Sequence, residues 1–381
     1  MQKSFKVNYI QLFFLCFMLL FASCQKDLKS TETNSQLIVA NGVLSKTIKT
    51  TSATAAVITT GLNHPRGLKF GPDGNLYVAE AGTGPTPLCS TQNCPEDQSH
   101  HFLPFFGCPT GGRISRIDVS TGSRTTVVDN LPTSRAGNGD VFGPADVSFI
   151  NNTLYVLEAG AGCGFGVPSS TNGIYRINSD GGHTMIADLG SWSDAHPGVH
   201  HDEGDYTPEG NWYSMTVAEN NFYALEPNHG NFVKVGLDGT ISLVVDISAS
   251  QGHIVPTSVA YKGNLFVGNL GEFPITGNSS IFKITPSGNM KIIATGFSAI
   301  LGLVLDQHSN IYVLEMTAGH PFPTPGAGRI RKISANGRVE DVIEGLNFPT
   351  GMTMGPDGNL YVSGWGFGPP LGEIVKVTLN H

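Results

Sequence analysis

Residues Gly71–Val78 read G-P-D-G-N-L-Y-V, and the same eight letters return at Gly355–Val362. A Pro-Asp-Gly-Asn turn feeding a short aromatic and β-branched run is a hairpin signal. Weaker copies of the run lie at Asn152–Val156 (NTLYV), Asn221–Leu225 (NFYAL), Asn264–Gly268 (NLFVG) and Asn310–Leu314 (NIYVL), which makes six in all. A repeat of this kind decides architecture ahead of chain length.

Each copy extends in both directions. An inner strand precedes the turn, at Arg66–Phe70, Ala145–Phe149, Tyr213–Val217, Thr257–Tyr261, Leu301–Leu305 and Thr350–Met354. A third strand follows, at Ile114–Ile117, Ile174–Ile177, Phe232–Val235, Ile281–Ile284, Ile330–Ile333 and Ile374–Val377, each with a basic third residue, Arg116 through Lys376. That basic residue is expected to lay its stem on a neighbouring blade and its head at a loop or carboxylate. A fourth strand is legible five times, at Thr125–Asp129, Thr184–Asp188, Ile241–Asp246, Met290–Ala294 and Val339–Ile343. Four antiparallel strands repeated six times predict an all-β, six-bladed β-propeller. The last blade lacks its fourth strand, and residues 56–63 resemble 341–347, so the N-terminal strand is expected to complete that blade and close the ring.

The turns between first and second strands and between third and fourth are short throughout. The long insertions, 81–113, 130–143, 159–173, 190–211, 270–280 and 316–329, fall between strands two and three or between blades. In an up-and-down blade those connections leave on one face, so specificity is expected there, in loops held by a rigid frame.

The chain has 381 residues, 14% of them charged, 48 glycines and a formal net charge of −8. No basic stripe stands out, which argues against nucleic acid as a partner. Lys3 and Lys6 precede the apolar run Leu12–Phe21, and Ala22-Ser23-Cys24 follows. This pattern resembles a bacterial lipoprotein signal, with residues 1–23 removed and Cys24 lipidated. Residues 24–55, rich in Ser, Thr, Lys and Asn, read as a flexible tether, and 56–381 as the propeller. The expected location is the cell envelope, on a membrane through the lipid alone, with the protein a monomer.

The string His64–Glu80 (HPRGLKFGPDGNLYVAE) resembles the NHL-type propeller repeat. Together with Ala79–Gly82 (AEAG), Gly112–Asp118 (GRISRID) and the long insert between them, the pattern resembles the ScyD/ScyE family of exported propeller proteins. The resemblance spans about residues 57–380. It implies the fold and export but no settled activity, since propellers of similar shape include calcium-dependent lactonases and pure binding modules.

Several positions carry candidate chemistry. Glu80, Glu158, Glu226 and Glu315 all end a second strand, where blade four has Asn269 and blade six Gly364. Carboxylates converging near the axis can hold a hard cation such as Ca²⁺, whereas a residue repeated in four blades also fits a scaffold role, bonding its neighbours' backbone. Arg66 and Asp146 are the only charged residues at their inner-strand positions and break the repeat near the channel. The segment Asp194–Asp205 (DAHPGVHHDEGD) is the densest ligand cluster, with His200, His201 and Asp202 at its centre. It reads either as a solvated polar loop or as a metal or ligand set.

Cys89, Cys94, Cys108 and Cys163 are expected to form two disulfides in an oxidising compartment, with three connectivities open. Cys89–Cys94 with Cys108–Cys163 is the expected pairing. Phe102-Leu-Pro-Phe105-Phe106 reads as a small core for the first insertion, or as an apolar lid over a ligand. Two functions follow. One is a binding module for a small molecule, glycan or protein on the insertion face. The other is a Ca²⁺-assisted hydrolase or lactonase using Glu158, Glu226 and Asp146.

Overall fold

The computed structural model describes residues 38–40, 43–45, 48–49, 53–85, 89, 105–201, 206–275 and 277–380. The strands from Ile48 to Leu379 form six sheets, five of them built in sequence order from an inner strand outward and the sixth completed on its outside by the N-terminal strands. Blades two to five are four-stranded, and blades one and six have five strands each. The all-β, six-bladed propeller expected from the repeats is the fold observed.

Ring closure follows the expected register. Ala53–Leu62 lies antiparallel to Gly372–Leu379, with Val57 opposite Val375 and Thr59 opposite Ile374. The closing strand starts at Ala53, three residues before the expected boundary. Within the segment expected as a tether, Ile38–Ala40 pairs with Val43–Ser45, and Ile48–Lys49 pairs with Thr54 and Ala55. The C-terminal part of that segment is therefore strand. The signal segment and Cys24 lie outside the described residues.

Second strands are the most buried, because each is flanked within its sheet and covered by both adjacent blades. Ile311–Glu315 and Leu360–Gly364 are buried at every position. The contacts between blades are apolar clusters, as where Tyr155, Leu157 and Ile174 of blade two meet Met215, Phe222 and Val233 of blade three. The two G-P-D-G-N-L-Y-V copies fold into matching corners. Asp73 accepts from Tyr77 and Arg116, and Asp357 accepts from Tyr361 and pairs with Lys376 at 2.7 Å. The head of the third-strand basic residue thus bonds a turn carboxylate in both copies, as expected, and the turn belongs to its own blade. Its strand lies directly beside the second strand, which brings it over that blade's first turn.

Blade one departs from the simple repeat. Its third and fourth strands, Phe105–Ile117 and Arg124–Ala136, run to 13 residues each and pair antiparallel from Ile117 opposite Arg124 to Phe105 opposite Ala136. Parts of two expected insertion loops are therefore strand. Phe105 packs edge-on against Phe142 and Phe165, with ring centroids 5.3 and 5.0 Å apart, which makes it core for the insertion. Phe106 on the opposite side is 47% exposed. Cys108 rides on the extension and bonds Cys89 with a Cα–Cα separation of 5.3 Å. The expected Cys89–Cys94 and Cys108–Cys163 pairing is thus overturned. The hairpin carries Cys108 back beside residue 89, a proximity hidden by their separation of 19 residues. Cys163 is also disulfide-bonded, and Cys94 lies outside the described residues. Among the described residues no helix is long and apolar enough to cross a membrane.

Candidate functional site

The repeated glutamates are wholly buried, and each ties down an insertion-face loop. Glu80 accepts from the Asn63 N–H at 2.7 Å, from Arg113 at 2.9 Å and from the Ser115 hydroxyl. Glu226 accepts from the N–H groups of Asn211 at 2.6 Å, Asn228 at 3.1 Å and His229. Glu315 accepts from the Ser298 N–H at 2.6 Å and from Arg329 Nε at 2.7 Å. Glu158 differs: its Oε1 accepts from Ala159 and Gly160, while its buried Oε2 has no partner among the described residues. In blade four the Asn269 amide does the same work, donating to Ile254 O and accepting from the Ser280 N–H. In blade six the position is Gly364, and a Cβ there would come within 3.0 Å of the Glu373 carboxylate from the facing strand. The acidic group has changed strands and kept its place.

The residue directly across the ladder sets the electrostatics. It is Arg113 for Glu80 and Arg329 for Glu315, Asn231 for Glu226 and Gly173 for Glu158. Burial pushes the Glu158 carboxyl up to about 8, with only two backbone N–H groups opposing it. Burial also raises Glu315, and there the Arg329 guanidinium pulls in the opposite direction. Among the described residues no group of three or more His, Cys, Asp or Glu is placed to hold a metal ion. The four glutamates do not converge as a shared cation site would require. Each sits within its own blade, its bonded oxygens taken by backbone amides, an arginine or a hydroxyl.

The inner strands are tied together at their insertion end. Asp146 is 4% exposed and accepts from the Val147 N–H at 2.8 Å and the Met215 N–H at 2.9 Å, joining blades two and three. A Cβ at Gly67 would meet its carboxylate at 2.0 Å, so that inner strand requires glycine. Arg66 donates to Val141 O at 2.8 Å instead of pairing with Asp146. The Tyr213 hydroxyl reaches across the ring to Thr350 O at 3.0 Å. What remains between the inner strands is a cavity of about 30 Å³, lined by Gly67, Asp146, Ser214, Ser258 and Gly302 among others. That is room for a water molecule or two.

The histidine segment is brought together only in part. His200 is exposed, and its backbone N–H donates to Ser248 Oγ at 3.1 Å. His201 holds Gly198 O through Nδ1 at 3.0 Å, and its ring packs on Tyr206, which stacks on buried His229 at 4.8 Å. Asp202 lies outside the described residues.

The insertion face carries a further feature that residue types alone did not single out. A recess of about 330 Å³ opens where the loop before the inner strand of blade four meets the 270–280 insertion. His253, Ile254, Asn269, Glu272, Phe273 and Asn278 line it. Its walls are fixed by Leu270 and Gly271 donating to Val255 O and Ile254 O, and by Ile275 donating to Pro321 O. Ile275 is anchored in an apolar cluster with Leu301, Met316 and Phe348, against which Tyr213 and Trp365 pack. The signal for this place was Asn269, the one amide in the register of glutamates, with an insertion immediately after it.

No family model matches the sequence, and no curated protein is similar to it in sequence. Solved structures are similar in fold. A protein of unknown function from Bacteroides thetaiotaomicron superposes with a TM-score of 0.56 at 14% identity, over 87% of this chain and 76% of that one. A gluconolactonase from Xanthomonas campestris gives 0.52 at 11% identity, over 86% and 90%. A glucose dehydrogenase gives 0.53 at 13% identity, over 86% of this chain and 100% of the other. What these neighbours share with the chain is the six-bladed propeller.

Proposed function

We propose that the protein is an exported, lipid-tethered propeller of the ScyD/ScyE type that acts as a monomeric binding module through its insertion face. The observation that carries this reading is the use of the acidic register. Glu80, Glu226 and Glu315 are spent on backbone N–H groups and arginines, which is a scaffold's chemistry. With the channel reduced to a water-sized space, a ligand meets the protein on the rim, where the insertions of neighbouring blades adjoin. Export is supported by the Cys89–Cys108 disulfide, which belongs to an oxidising compartment. The lipid anchor rests on Ala22-Ser23-Cys24.

A second reading, a Ca²⁺-assisted lactonase, draws on the gluconolactonase among the structural neighbours. It requires carboxylate oxygens roughly 2.3–2.6 Å from one ion. Glu158 Oε2 is the single register oxygen free of a partner among the described residues, and one oxygen does not make such a site.

One assay separates the two. Lactone hydrolysis and the melting temperature are followed with Ca²⁺ and with chelator. The binding module shows no turnover and no Ca²⁺-dependent shift. Calcium-dependent hydrolysis abolished by Glu158→Gln would replace it with the enzyme. Cys24→Ser is expected to move the protein from the membrane fraction to the soluble one.

A further inference from the structure

We propose that the blade-four recess binds a single pyranose ring, presented by a neutral glycan or a free sugar. The inference rests on the binding-module reading and names its ligand class. Its first support is size. At about 330 Å³ the recess sits at the lower end of the range of small-molecule sites, the size of a single sugar ring rather than of a large ligand.

The second support is the pairing of an aromatic face with planar polar groups. Phe273 is 38% exposed and borders the recess. The Phe322 ring lies nearly parallel to it, at a centroid distance of 6.1 Å with planes 19° apart. An exposed phenyl face suits the C–H face of a sugar, which needs flat apolar contact without charge. Around it, Glu272 and Asn278 are exposed, and the His253 imidazole completes the polar edge. A carboxylate and an amide are acceptors and donors of the kind that vicinal hydroxyls satisfy in pairs.

The third support is charge. Glu272 is the only charged carboxylate among the recess residues, and neither Lys nor Arg lines it. Phosphates and acidic sugars are therefore disfavoured, and a neutral ring is favoured. The fourth is preorganisation. Asn269 spends both ends of its amide on Ile254 and Ser280, and the flanking backbone is bonded across to blade five, so little ordering is left for a ligand to induce.

The test uses the full exported chain and three probes, the methyl glycosides of glucose, galactose and mannose in pyranose form, with ethanolamine as a cationic comparison. Binding is read by saturation-transfer NMR and titration calorimetry. At least one pyranoside is expected to bind wild type. Phe273→Ala and Glu272→Gln should each weaken it roughly tenfold. Phe106→Ala, which removes an exposed ring on the blade-one hairpin, should leave it unchanged. Melting curves check that each variant folds, and Phe273→Leu keeps the apolar volume without the aromatic face should the alanine variant not fold. Pyranoside binding that is equal in wild type and the recess variants would overturn the location while leaving the binding-module reading intact. Binding of ethanolamine alone would overturn the ligand class, and binding of no probe would overturn the site.

Discussion

Blades two and five place a glutamate at the same point of the same strand, both wholly buried, yet the two carboxylates live in different electrostatic worlds. Glu315 faces Arg329 across the ladder and is held as an ion pair at 2.7 Å. Glu158 faces Gly173, has two amide donors on one oxygen, and is pushed up to about 8. A side chain here would not help, because a Cβ on Gly173 would meet Ala187 O at 2.3 Å. The lesson is that a repeat preserves position and geometry more strictly than electrostatic surroundings. The partner one strand over decides what opposes the cost of burying the same acid, a guanidinium at Glu315 and only two backbone amides at Glu158.

The largest effect is expected from Arg329→Met, which strands a buried carboxylate in blade five. The loss should be about 3–5 kcal/mol, read from the urea midpoint. A loss below about 1 kcal/mol would mean that the Ser298 N–H alone suffices for Glu315.

Glu158→Gln should act in the opposite sense and depend on pH. Its folded-state pKa lies above the ordinary value of 4.5, so unfolding releases its proton between the two values. Wild-type stability therefore falls as pH rises from about 4.5 toward about 8, and is spared below that window. The glutamine variant lacks this slope. It should match wild type near the acid end and exceed it by several kcal/mol, at most about 5 kcal/mol, above the window, read from urea midpoints across pH.

Glu226→Gln is intermediate, since the amide keeps one acceptor but turns a donor toward the backbone N–H groups the carboxylate held. A loss of about 1–2 kcal/mol in the same assay is expected. The smallest effect belongs to the exposed corner. Arg116→Ala removes a surface pair with Asp73 and should cost less than about 1 kcal/mol, vanishing in high salt. A larger, salt-resistant loss would show that the corner is part of the buried scaffold.

The ring was legible because turn chemistry and strand pattern recur together. G-P-D-G-N-L-Y-V fixes a hairpin locally, and six copies leave few ways to bury the strands. The match of residues 56–63 to 341–347 revealed closure for the same reason. Site chemistry was less legible because it depends on neighbours distant in sequence. Glu80 and Glu315 look identical to Glu158 until Arg113, Arg329 and Gly173 are placed opposite them. The Cys89–Cys108 bond was hidden by an irregular hairpin that no repeat describes. Asp146 broke the pattern as a ligand would, yet its carboxylate accepts from two backbone amides on neighbouring blades, a bond pattern that its sequence position does not reveal.

The pairing of Val57 with Val375 sets a timetable for biogenesis. A chain made N-terminus first delivers the closing strand at the outset and its partner strand at the end. Until Gly372–Leu379 is made, the strand Ala53–Leu62 lacks the neighbour it pairs with in the ring, and blade six cannot close. A contact this distant in sequence is slow to form, and an open strand edge is a target for aggregation. A holding chaperone would therefore matter most for this one strand. A chain stalled before residue 372 would stay an open ring, recognisable to proteases by the same unpaired edge.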